Sequence, residues 1–199
     1  MNARLIYAMG PSGAGKDSVL TWLMSQLALQ DLLHWAVRDV TRESHDSSQR
    51  DRSVSPQTFA ELSAQGAYAL SWQANGLSYG IRHEVLAPLA QGQWVLLNGA
   101  RRSVADAAAR FPGLTVLHIS ADAHVLRQRL MQRGREQGPG LAARLAQTTG
   151  SEPGGLAPAG CRLLQVRNNT TLDEAGQQAL GLLAQVPGWP GHSPEALDV

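Results

Sequence analysis

An α/β fold built on a central parallel sheet is predicted by three features of the sequence. Short apolar runs alternate with longer helical patterns along the chain, as expected of strands joined by helices that cover a parallel sheet. The first run, Leu5 to Met9, feeds directly into the glycine-rich stretch GPSGAGK at Gly10 to Lys16. A helical segment follows at once, so strand, loop and helix stand in the order that a phosphate-binding loop requires.

The remaining elements follow from the same patterns. The first helix is predicted over Asp17 to Gln30. The stretch from Arg38 to Pro88 differs in texture, being rich in polar residues and turn signals, and reads as an inserted acceptor-binding subdomain. Trp94 to Asn98 and Leu114 to Ile119 are apolar enough to be strands buried on both faces. Ala121 to Gly134 is expected to be helical, with Ser120 or Asp122 as N-cap. Leu163 to Val166 reads as a last short strand, and Leu172 to Gln185 as the helix that follows it. Between them, Glu136 to Gly160 is rich in Gly, Pro and Ala with a helical patch at Leu141 to Gln147, a composition suited to a mobile lid. Pro187 to Val199 lacks periodicity and is expected to be a disordered tail beyond a single domain of residues 1–186.

Composition sets the background. A 199-residue chain that is 43% hydrophobic with net charge +1 fits one globular domain. The near-neutral balance gives no reason to expect a nucleic-acid surface, although 17 basic residues can still cluster around a small anion. Uncharged runs are too short to cross a bilayer, and MNARLIYAMG lacks a secretory layout. A lone cysteine, Cys161, fits a reducing cytoplasm.

The loop itself carries the chemistry. Gly10, Gly13 and Gly15 allow the backbone to turn so that the N–H groups of Pro11-Ser12-Gly13-Ala14-Gly15 and their neighbours, proline excepted, form an anion-binding concavity. The helix that starts here adds its positive end. Lys16 supplies a point charge for the β and γ phosphates of a nucleotide. Asp17 stands where Ser or Thr is usual, with the hydroxyl one residue later at Ser18, and both are candidate Mg²⁺ ligands. A glycine turn alone does not call for Lys16.

Arginines supply the second signal. Arg129 and Arg133 are four residues apart and share one helix face, and Arg144 lies beyond it. These three form a candidate phosphate clamp, while Arg127 and Arg135 stay open. A second group, Arg38, Arg42, Arg50, Arg52, Arg82, Arg101 and Arg102, is scattered over the subdomain and the end of the Trp94 strand. Guanidinium groups grip phosphate oxygens bidentately, so this surplus points to an acceptor that already carries phosphate.

These words together resemble a known family. The loop, VRDVTRE at Val37 to Glu43, GLSYG at Gly76 to Gly80 and RLMQRG before a further arginine are similar to guanylate kinases, P-loop kinases, over most of residues 4–185. GPSGAGKDS, ALSWQANGLSYG, LLNGAR and the RNN at Arg167 to Asn169 look more specifically like the ribose 1,5-bisphosphate phosphokinases of bacterial phosphonate breakdown. That resemblance implies transfer of the ATP γ-phosphoryl group, with Mg²⁺, to the 1-phosphate of ribose 1,5-bisphosphate. The product would be 5-phosphoribosyl 1-diphosphate. It implies ATP and Mg²⁺ contacts for Gly13, Gly15, Lys16, Asp17 and Ser18, a clamp of Arg129, Arg133 and Arg144, acceptor-phosphate contacts for Arg42 and Tyr79, and an adenine contact for Asn168. Ser71, Asn98 and Arg101 would face the sugar bisphosphate.

The departures from guanylate kinases point the same way. Ser71 precedes Trp72 where those enzymes carry a base-reading carboxylate, and Asn98, Gly99 and Ala100 replace a usual acidic pair. The second arginine expected after the TR pair falls near His45. A nucleoside monophosphate kinase and a non-catalytic module of the same shape are the alternatives. Whether the chain forms a homodimer stays open, since no surface patch is legible in the sequence.

Overall fold

The computed structural model describes residues 4–26, 32–42, 50–132 and 157–192. Its centre is a five-stranded parallel sheet. Strand β1 (Leu5–Met9) lies in the middle, β7 (Trp94–Asn98) and β2 (Leu33–Trp35) on one side, β8 (Thr115–Ser120) and β9 (Arg162–Arg167) on the other. All five residues of β1 are buried, as a strand covered on both faces must be.

Alternation along β1 divides its side chains between two apolar cores. Ile6 and Ala8 join Leu96, Leu117 and Ile119 beneath helices α1 (Lys16–Gln26) and α6 (Leu172–Leu183). Leu5, Tyr7 and Met9 join Val95, Leu97 and Val116 on the opposite face, under α4 (Val104–Arg110). Helix α6 begins at Thr171, whose hydroxyl accepts from the Glu174 N–H at 3.2 Å. Its Gly176 lies so close to α1 that a Cβ there would sit 2.2 Å from the Trp22 ring.

The Arg38–Pro88 region forms a second, four-stranded sheet in the order β4 (Asp51–Ser53), β3 (Arg38–Val40), β6 (Leu77–Arg82), β5 (Tyr68–Ala74). Helix α2 (Pro56–Ala64) precedes the β5–β6 hairpin, capped by Ser55 and started by Pro56. The hairpin turns at Asn75 and Gly76, with φ of 52° and 75°, the pair of positive angles that a two-residue turn needs. A short helix α3 (Ala87–Ala90) leads back to β7.

The predicted strands at Leu5, Trp94, Leu114 and Leu163 all form, with ends shifted by no more than one residue. Helix α5 spans Ala123–Gln132, starting later than expected because Asp122 remains outside and accepts the Leu126 N–H at 2.9 Å. The proposed lid lies almost wholly outside the described residues. Ala157 and Cys161, at its end, pack against the second core.

The loose tail expected from Pro187 does not begin there. Trp189 is 5% exposed, and its ring meets Trp94 edge-on at 5.2 Å. The Trp94 indole N–H donates to the Gly188 carbonyl at 3.0 Å. Burying so large an aromatic outweighs the ordering entropy of a few residues.

Candidate active site

The loop between β1 and α1 sits at the carboxyl edge of the sheet, beside its central strand, where open α/β sheets bind ligands. Gly10, Gly13 and Gly15 adopt φ of 152°, 86° and 80°, angles that side chains other than glycine resist. The Lys16 ammonium donates to the carbonyls of Gly10 and Pro11 at 2.9 and 3.0 Å, which holds its charge over the start of the loop.

Two residues predicted from distant parts of the sequence meet at this loop. Asn168, 4% exposed, donates its amide N–H to the Ala14 carbonyl at 2.9 Å. Arg129 donates to the Asn168 backbone carbonyl at 2.9 Å and reaches its side-chain oxygen at 3.4 Å. With Gly13, Gly15, Ser18, Gln132 and Leu172 they line a cavity of about 330 Å³. Asn168 thereby braces the loop from its side chain, bonded on one side to the loop and on the other to the arginine. Arg127 is exposed on α5. Arg133 and Arg144 lie outside the described residues.

Asp17 and Asn98 are also brought together, which the sequence did not suggest. The Asn98 amide donates to an Asp17 carboxylate oxygen at 2.6 Å. Asn98 is 2% exposed and its side-chain oxygen has no partner. One carboxylate with a neighbouring Ser18 hydroxyl suits Mg²⁺, which keeps several waters and substrate phosphates as ligands. Among the described residues no group of three or more His, Cys, Asp or Glu gathers, so a dedicated all-protein metal cage is absent there.

On the other side of Asn98 lies the acceptor subdomain. Arg38 donates to the Asn98 backbone carbonyl at 2.9 Å and grips Asp51 with two nitrogens at 2.8 and 3.1 Å. Its guanidinium also lies 5.7 Å from the Tyr79 ring centre, and Tyr79 stacks on Trp72 at 5.5 Å. Arg42, half-exposed, approaches the same Asp51 at 3.7 Å. Thus Arg42 and Tyr79 flank Arg38, one of the scattered arginines, and Asp51, which the sequence did not single out.

Ser71 does not join them. The hairpin register pairs Trp72 with Tyr79 and Ser71 with Gly80, so Ser71 leaves the opposite face of the sheet, exposed. That outer face is braced by Asp39, 1% exposed, which accepts from Tyr68 at 2.8 Å and Arg82 at 2.7 Å. Burial, then the bond to Asp39, pushes the Tyr68 phenol well above its usual range. Arg82 and Arg52 are thereby committed to Asp39 and Glu84. Arg50 lies over the Trp35 ring at 4.8 Å, and Arg102 donates to the Gln73 carbonyl at 2.9 Å.

Arg101 projects from the turn after β7, and Tyr7 fixes that turn. The buried Tyr7 hydroxyl donates to the Ala100 carbonyl at 2.8 Å, accepts from the Ala100 N–H at 3.0 Å and meets the Ser103 hydroxyl at 2.7 Å. Burial pushes its pKa up to about 12, so the phenol stays protonated. Tyr7→Phe is expected to cost about 1–2 kcal/mol, since it strips the half-buried Ala100 N–H of its acceptor and the buried Ser103 hydroxyl of its partner. Urea unfolding measures the loss.

Comparison with known proteins decides the family. The chain is 42% identical over 193 residues to a ribose 1,5-bisphosphate phosphokinase PhnN of Pseudomonas fluorescens, covering 97% of this chain and 98% of the relative. The chain belongs to the PhnN family. A PhnN of Laribacter hongkongensis is 44% identical over 181 residues, which span 91% of this chain but only 42% of that relative. A guanylate kinase from Anaplasma phagocytophilum matches in structure with a TM-score of 0.61 and 15% identity, over 90% of this chain and 84% of that one, which shows the shared fold. No protein-family model matches the chain. Against this PhnN background, the residues that sequence reasoning passed over are Asp51 and Tyr7, which only the fold sets against Arg38 and the Ala100 turn.

Proposed function

We propose that the chain transfers the γ-phosphoryl group of ATP to the 1-phosphate of ribose 1,5-bisphosphate, giving 5-phosphoribosyl 1-diphosphate and ADP. One observation carries this reading beyond family membership. The phosphate loop, braced by Asn168 and Arg129, adjoins Asn98, whose far side is held by the Arg38, Asp51, Arg42 and Tyr79 cluster. A donor site for polyphosphate and an acceptor site rich in guanidinium therefore share one boundary residue.

The chemistry needs little from the protein except position and charge. An acceptor phosphate is anionic at neutral pH, so its oxygen attacks the γ phosphorus without a strong base, and the bond between γ phosphorus and the β–γ bridging oxygen breaks to release ADP. Lys16 neutralises charge on the β and γ phosphates, and Arg129 adds its own from α5. Arg38, Arg42 and Arg101 bind and orient the sugar phosphates, with Tyr79 beside them. Asp17 and Ser18 would hold Mg²⁺, with Asn98 fixing the carboxylate. When bound, the ion offsets negative charge between the phosphates. Arg133 and Arg144 belong to the same proposal by sequence alone.

Cytoplasmic residence is part of this reading, since ATP is the donor. Among the described residues no helix is long and apolar enough to cross a membrane.

A side-by-side acceptor screen tests the proposal. Ribose 1,5-bisphosphate, ribose 5-phosphate, GMP and gluconate are each supplied with ATP and Mg²⁺, and ADP release is followed. The expected result is ADP with ribose 1,5-bisphosphate, and a new diphosphate signal in the ³¹P spectrum. ADP with GMP alone would replace the proposal with a nucleotide kinase. Failure to bind ATP would make the chain a non-catalytic module.

A further inference from the structure

A second cavity adjoins the donor site. It encloses about 460 Å³, the size of a small-ligand cleft, and shares Ser18 and Leu172 with the cavity that Gly13, Gly15 and Arg129 line. The two therefore meet where the loop passes into α1. Asp17, Thr21 and Ser25 recur every fourth residue along that helix and form one stripe of the wall. The Thr21 and Ser25 hydroxyls donate their protons to the helix's own Asp17 and Trp22 carbonyls, so each oxygen keeps a lone pair with which to accept. With the Asp17 carboxylate they make this wall an acceptor of hydrogen bonds.

Arg50 lines the same cavity from the acceptor subdomain. Its guanidinium lies over the Trp35 ring at 4.8 Å and makes no hydrogen bond or ion pair with the described residues. The neighbouring arginines are placed otherwise: Arg38 and Arg42 face Asp51, Arg52 and Arg82 face Asp39 and Glu84, and Arg102 donates to a backbone carbonyl. Stacking on an indole holds a guanidinium in place without engaging its N–H donors, which leaves the planar fork open to an oxyanion. A ligand that donates hydroxyl protons to one wall and presents phosphoryl oxygens to the other is a phosphorylated sugar.

We infer that this cavity holds the sugar and the non-reacting 5-phosphate of the acceptor, with Arg50 as the residue that grips that phosphate. This rests on the phosphotransfer reading above and adds a specificity residue to it, leaving the reacting phosphate to the arginines already named. Arg50 is then what selects a bisphosphate over a monophosphate.

Ribose 5-phosphate is the probe, since it carries the non-reacting phosphate and lacks the other. In ¹⁵N-labelled wild type, the Arg50 Nε–H signal, assigned by its loss in Arg50→Lys, should shift as ribose 5-phosphate is added. The calorimetric Kd for ribose 5-phosphate should rise about tenfold in Arg50→Gln, and less in Arg50→Lys, which keeps the charge. In steady state, Arg50→Gln should raise the KM for ribose 1,5-bisphosphate by about the same tenfold, with the KM for ATP nearly unchanged. An Arg50 signal unmoved in wild type, a Kd unchanged in Arg50→Gln, or inorganic phosphate bound as tightly as ribose 5-phosphate would overturn the inference. Wild type that releases no ADP from ribose 1,5-bisphosphate, yet binds ribose 5-phosphate through Arg50, would overturn the substrate and uphold the sugar-phosphate cavity.

Discussion

Lys16→Ala lowers turnover of ATP and ribose 1,5-bisphosphate by about 10²- to 10³-fold, corresponding to about 3–4 kcal/mol of lost transition-state stabilisation. The ammonium stands over the loop, held by the Gly10 and Pro11 carbonyls, where charge accumulates as the γ phosphoryl group departs. Nothing else in the described loop carries positive charge except through backbone dipoles. Stability should change by no more than about 1 kcal/mol, because its bonds to the Gly10 and Pro11 carbonyls lie at a partly exposed loop. A coupled ADP assay beside a thermal melt separates the two effects. Turnover equal to wild type would contradict the mechanism.

Gly10→Ala should be the most damaging small change in the loop. A Cβ at this position would lie 1.9 Å from the Ile119 carbonyl oxygen and 3.0 Å from its carbon, on a backbone with φ of 152°. That carbonyl belongs to β8, which is paired with β1 from Ile6 to Met9 and cannot withdraw without breaking the ladder. Strain and overpacking together make the expected loss about 3–5 kcal/mol, with nucleotide affinity falling as the loop is displaced. Gly76→Ala is the control. It has φ of 75° with nothing within 4 Å of the added carbon, so only the left-handed backbone is charged against it, about 1–2 kcal/mol. Urea unfolding of both variants measures the difference.

What could be read in the sequence was local, and what could not depended on distant pairing. The β1 strand, its loop and Lys16 lie within a dozen residues, so spacing alone conveys their geometry. The placement of Arg129 beside the loop followed from a helix period and a family pattern. Arg38 was only one of seven scattered arginines until the fold set it against Asp51, thirteen positions on, and Asn98, sixty positions on. Ser71 was misread for a different reason: neighbours in a strand point to opposite faces, and only the register fixed by Asn75 and Gly76 shows which of them lies beside Tyr79. Trp189 looked like tail because a single anchoring aromatic has no period. The bonds of Asn168 to Ala14 and Arg129 span 154 and 39 positions, beyond any local pattern.

Asn98 is bonded on both sides, by its side chain to Asp17 and by its carbonyl to Arg38, which in turn holds Asp51. The two substrate halves thus share a continuous bonded route across a single rigid strand end. Thermodynamic linkage then imposes a symmetry on any coupling that route carries: the factor by which bound nucleotide changes sugar-phosphate affinity is the factor by which the sugar phosphate changes nucleotide affinity. A substitution at Asn98 that uncouples one ligand must uncouple the other equally.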